Sequence, residues 1–263
     1  MGDDRLALTT AALHELHAPA TSQSRRQELQ GMLGLEKQLV VADAGLRSAW
    51  CGALGSTQDE FVLWSALSAC DASLTAPVGH AMPAAERSQL KAALQNLLLA
   101  SSAGLPKSAR NKAALVFSHL VRVAWPAEEP SLVHEVLSLL QQPGANRGLG
   151  AQLLATIAEE FASADDERQR AFVAAMPDVH AALAGALQSE AGAREAPSGA
   201  SAEAQATALL CLEAARACIC FGRSHGSTAT ARVFTEPEAR MCMCMCMCMG
   251  MGMGMWSACP CEP

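Results

Sequence analysis

The sequence predicts an all-α protein built from paired helices, and three observations carry that prediction. Aromatic residues make up only 4% of the 263 residues and tyrosine is absent, while alanine and leucine recur throughout. That composition favours helices, since strands draw on β-branched and aromatic side chains. Apolar residues repeat at spacings of three and four, and no convincing period-two alternation appears before residue 240. Taken two at a time, the apolar segments return about every 40 residues, the rhythm of stacked helical hairpins. A hydrophobic share of 51% is ample for a sizeable core.

Pro, Gly and Ser breaks divide the periodic pattern into ten helices, expected at 3–18, 22–33, 43–54, 58–75, 84–101, 107–124, 131–142, 148–162, 166–190 and 202–221. In 58–75 the stripe is Leu63, Leu67, Cys70 and Leu74; in 107–124 it is Ala113, Phe117, Leu120 and Ala124. In 148–162 it is Leu149, Leu153, Ile157 and Phe161. The joints carry their own chemistry. Ser56, Thr57 and Asp59 can cap the fourth helix. Pro106 suits a first turn, and Pro126 ends the sixth helix by excluding the α region for Trp125.

A single hairpin cannot bury both its faces, so five pairs stacking on their neighbours predict an α-α superhelix of the HEAT or armadillo kind. Residues 1–222 read as that domain, with a surface linker at about 190–201. Residues 223–263 read as a low-complexity Met/Cys/Gly tail, expected to be disordered.

Charge and composition narrow the function. A net charge of −7 lacks the lysine and arginine surplus that phosphate-backbone binding needs, so no nucleic-acid partner is expected. A basic protein partner fits better. Of eleven cysteines, six fall in the last 22 residues, and the other five lie within helical patterns. No disulfide framework emerges, which points to a reducing compartment. No targeting segment or membrane partner is expected: the start is acidic, and "ALLCLEAARACICF" carries Glu213 and Arg216 over too short a run. No phosphate loop or nucleophile elbow occurs, so no enzyme, cofactor or catalytic residue is expected. His14 and His17 lie one turn apart without an evident third ligand, so they read as a solvated face and no metal site is expected. Alternating Met and Cys in "MCMCMCMCMGMGMGMW" could hold Cu(I) through soft ligands, yet one short copied DNA unit would also generate it.

The stretch "RNKAALVFSHLVRVAWP", residues 110–126, resembles the RNK…WP helix of the exportin-type domain in importin-β-superfamily transport receptors. "SLVHEVLSLLQQP", "GLGAQLLATIAEEFAS" and "ATALLCLEAARACICF" follow in the family's order, so the likeness covers about residues 5–222. Past Gly222 it ends, and the chain looks like the N-terminal part of a longer receptor. The resemblance implies nuclear export of protein cargo, of the actin–profilin type, by a protein shuttling between nucleus and cytoplasm. It implies Ran-GTP on the inner helices 22–33, 58–75 and 107–124, and nucleoporin FG repeats on the outer ones. Gln58, Asp59, Glu60, Arg110, Asn111 and Lys112 stand at inner-helix starts and are the candidate partner-facing residues. For each the competing role is local: capping and positioning the hairpin. Trp64 and Trp125 are expected to pack between repeats, and Trp125-Pro126 to form a corner.

Overall fold

The computed structural model describes residues 2–57, 59–77, 81–100, 105–194 and 201–227. Among these residues every regular element is helical: α1 (Gly2–His17), α2 (Gln23–Ala42), α3 (Ala44–Ser56), α4 (Glu60–Leu74), α5 (Ala84–Ala100), α6 (Lys107–Ala124), α7 (Leu132–Gln141), α8 (Ala145–Phe161), α9 (Asp166–Arg194) and α10 (Ala202–Ser224). The all-α helical-repeat class is therefore the fold. The helices fall into two compact units, Met1–Ala124 and Trp125–Pro263.

In the first unit the helices pack on the next but one, as α1–α3, α2–α4, α3–α5 and α4–α6, and the successive pairs α1–α2, α2–α3, α3–α4 and α5–α6 also pack together. The odd helices α1, α3 and α5 form one layer and the even helices α2, α4 and α6 the other. This two-layer pattern is how stacked hairpins bury the stripes that one hairpin leaves bare. Leu46, Trp50, Leu63, Leu67, Leu90 and Leu94 fill the space between the layers, each no more than 2% exposed. The second unit repeats the scheme, with α7 on α9 and α8 on α10. Its core holds an aromatic chain in which Trp125, Phe161, Phe172 and Phe221 have successive ring centroids 5.7, 4.9 and 5.0 Å apart.

Caps set the helix starts. Ser22 Oγ accepts from the Arg25 N–H, Asp43 Oδ1 from Leu46 and Ser201 Oγ from Ala204. Asp43 both closes α2 and opens α3, so the two helices meet without a loop. Gly144 starts α8 with φ +70°, a left-handed backbone that glycine adopts without penalty.

Three expectations are corrected. The second helix does not stop at 33 but runs to Ala42. Gly31 and Gly34 weaken a helix by only about 1 kcal/mol each, and Leu29, Glu36 and Val40 bury one face across them. The ninth helix extends through Pro177 to Arg194, so residues 190–194 of the expected linker are helical. The apolar run near the C terminus is not short: α10 spans 23 residues and is long and apolar enough, by length and composition, to cross a bilayer. It nonetheless buries Cys211, Cys218 and Phe221 and packs on α8 and α9 within the second unit. The Met/Cys tail lies outside the described residues.

A candidate partner-binding groove in the first unit

The start of α4 organises the site. Asp59 Oδ1 accepts from the N–H groups of Phe61 and Val62 at 2.9 and 3.0 Å, which caps the helix. Its Oδ2 lies 3.0 Å from His14 Nε2 of α1. Glu60 Oε1 accepts from the Ser108 hydroxyl of α6 at 2.7 Å. A carboxylate in a first turn also suits the helix dipole. Phe61 turns outward and stacks against His17, ring centroids 3.9 Å apart and 13° from parallel.

Of these, Glu60, Ser108, Phe61 and His17 line a cleft of about 620 Å³ between α1, α2 and α4, which Trp50 of α3 also lines. The size is that of a ligand-binding cavity. Its surface is mainly apolar: Leu13, Leu16, Leu33, Phe61 and Trp64 face it. Trp64 is 44% exposed and Phe61 42%. This corrects the expectation for Trp64, whose ring is not packed between repeats. It stands at a position where the neighbouring helix leaves an opening. Trp125 does pack: it is 7% exposed and edge-on to Phe161 and Phe172 in the second unit.

The predicted residues divide. Glu60 lines the cleft and Asp59 caps the helix beside it, whereas Gln58 lies outside the described residues. Arg110, Asn111 and Lys112 sit in the first turns of α6 and do not line the cleft; Ser108 does. Arg110 is half-buried and its N–H donates to the Pro106 carbonyl at 2.9 Å. Asn111 is exposed. Lys112 is bound to Asp71 of α4, which also takes the His119 ring nitrogen at 2.5 Å. Burial pushes the Asp71 carboxyl up, but the His119 and Lys112 contacts outweigh it and hold it below its ordinary value. The lysine thus ties α6 to α4 within the even layer.

His14 and His17, expected on a solvated face, are exposed, and they also meet Asp59 and Phe61 respectively. Glu36, 9% exposed and lining the cleft, was not among the predicted residues. Glu36 Oε2 lies 3.3 Å from Arg5 Nε, and its Oε1 is buried without a hydrogen-bond partner among the described residues. The Trp50 indole N–H is likewise buried without one. A charge inside an apolar stripe was the available signal. Among the described residues, no group of three or more His, Cys, Asp or Glu is placed to hold a metal.

Fold and site together define a helical-repeat protein with an apolar, acid-lined cleft on its first unit. No family model and no curated protein matches the chain.

Proposed function

We propose that the chain is a non-catalytic protein-binding module of the nuclear transport receptor type, shuttling between nucleus and cytoplasm. In this reading the first unit engages Ran-GTP, and cargo of the actin–profilin type and nucleoporin FG repeats are further partners. One observation carries it. The helices expected to meet Ran, α2, α4 and α6, share one layer, and a half-exposed aromatic and acidic cleft opens at the start of α4. One buried carboxylate, Glu36, and a half-exposed tryptophan suit a protein partner, since aromatic anchors dominate interface energetics.

Calorimetry with Ran loaded with GTP or GDP tests this. The expected result is weak binding, on the order of micromolar, with a preference for the GTP state. Contact through one of two linked areas forgoes an effective-concentration gain of about 10²–10⁴-fold. Asp59→Asn removes a charge yet keeps a good capping side chain, so it should weaken binding without unfolding α4, and less so at high salt. Equal affinity for both states, or no binding at high protein concentration, removes the transport reading.

A second reading is favoured by Lys112. Its engagement with Asp71 takes one of the proposed partner-facing cations out of play. A helical-repeat scaffold that ignores the nucleotide state of Ran would have that feature. Equal binding to both states, together with capture of other basic proteins, would select it.

A further inference from the structure

The cleft of the first unit has a charge imbalance. Among the described residues two carboxylates line it, Glu36 and Glu60, and no lysine or arginine does. Glu60 is engaged by Ser108, whereas Glu36 keeps one oxygen buried without a hydrogen-bond partner among the described residues. A carboxylate oxygen withdrawn from water with nothing donating to it is costly. Arg5 Nε lies 3.3 Å from the other oxygen, and the arginine is itself 43% exposed. Glu36 lines the cleft and the last torsion of a glutamate side chain is soft, so its carboxylate can rotate to offer that oxygen to an occupant.

The rest of the lining suits a cation on an apolar stem. Half-exposed Phe61 and Trp64 offer ring faces to an ammonium or guanidinium group, and Leu13, Leu16 and Leu33 flank the methylene path. Lysine and arginine bury such stems while their heads find a partner. The rings extend the apolar surface outward from the cavity, so the occupant has more to contact than one small amine would cover.

We infer that this cleft receives a lysine or arginine side chain, flanked by apolar residues, from a partner protein, with Glu36 as acceptor and Trp64 and Phe61 as walls. The inference rests on the groove being a partner-binding surface, but not on Ran being the partner.

The test uses the full chain and two synthetic peptides, acetyl-Leu-Lys-Leu-amide and its uncharged counterpart with norleucine for lysine. Butylammonium serves as the small-amine control. Binding is read from the indole N–H signals of Trp50 and Trp64, with Trp125 as the internal reference outside the cleft. The lysine peptide should bind at least about tenfold more tightly than the norleucine peptide, the step expected for a charge-assisted hydrogen bond. Butylammonium should bind more weakly than the lysine peptide. Glu36→Gln should erase the lysine preference, so that the two peptides bind alike. Gly34 also lines the cleft, and a Cβ there meets nothing within 4 Å. Gly34→Leu therefore adds bulk at the cleft with room for its Cβ and should block both peptides, which keeps the test valid if the glutamine variant misfolds.

Equal binding of the two peptides would make the cleft merely apolar and overturn the assignment. So would unchanged lysine preference in Glu36→Gln, or no shift with any probe at millimolar concentration. Butylammonium binding as tightly as the lysine peptide would make the occupant a small amine and overturn the protein source. Ran takes no part in these measurements, so loss of the transport reading leaves their outcome intact.

Discussion

Asp71, on α4, holds both Lys112 and His119 of α6. The three groups are mostly shielded from water, with side-chain exposures of 14–18%. Because its folded carboxyl titrates below the unfolded value of about 3.9, the stabilisation is complete above that value. It is lost as pH falls through the folded one. Asp71→Asn should cost about 1.5–3 kcal/mol at pH 7, the range for hydrogen bonds to charged groups, and the gap to the parent chain should narrow at pH 3. Urea unfolding at the two pH values measures it; a gap of constant size would show that charge is not its source. The same scale shows what could be read in advance. Asp59 as a cap was legible because its partners lie two and three residues away. Lys112 meeting Asp71 was not, because the pair is 41 residues apart and exists only once α4 and α6 share a layer. Glu36 was not legible for a related reason: nothing near it in the chain announces the cavity that it lines.

Among the elements, two buried arginines make the same kind of joint. Arg47 of α3 donates from Nη1 to the Val41 carbonyl of α2 at 2.8 Å and from Nε to Glu86 of α5 at 2.6 Å. Arg147 of α8 donates from Nε to the Leu140 carbonyl of α7 at 3.0 Å and from Nη1 to Glu190 of α9. Each arginine supplies donors to carbonyls that a helix end leaves open and anchors a third helix through a carboxylate. Next to the second joint, α7 and α8 approach so closely that a Cβ on Gly150 would come within 2.9 Å of both Leu139 Cβ and the Leu140 backbone nitrogen. Gly150→Ala should therefore destabilise by about 1–3 kcal/mol, the range for overpacking, although alanine favours an exposed helix by about 1 kcal/mol. Thermal unfolding of this variant beside Gly34→Ala, which has open space, separates the effects; stabilisation by both would mean that the helices at Gly150 can part. Helix starts and most ends were legible from periodicity and breakers. The close approach was not, since a glycine in a helical pattern signals only weakness until its neighbour is known.

For the whole chain, the described helices form two units, each with its own core. A region with its own core can fold alone. A chain ending at Ala124 should accordingly give a helical circular-dichroism spectrum and a single cooperative urea transition. A broad, non-cooperative loss would show that the first unit depends on residues beyond 124. At this scale the sequence by itself determined the all-α class, the ten helices and their pairing. Those follow from composition, spacing and capping, which act within a few residues. The stretch 110–126 illustrates the division. Its apolar face and terminal Pro126 announced a packed helix with a sharp stop, and α6 ends at Ala124. Only the tertiary structure decided that Trp125 joins the aromatic core of the second unit while Trp64 stands half-exposed at a cleft. Both tryptophans lie beside apolar stripes and were expected alike to pack between repeats. Which ring is covered depends on whether a neighbouring helix reaches it, and that is a property of how the layers stack.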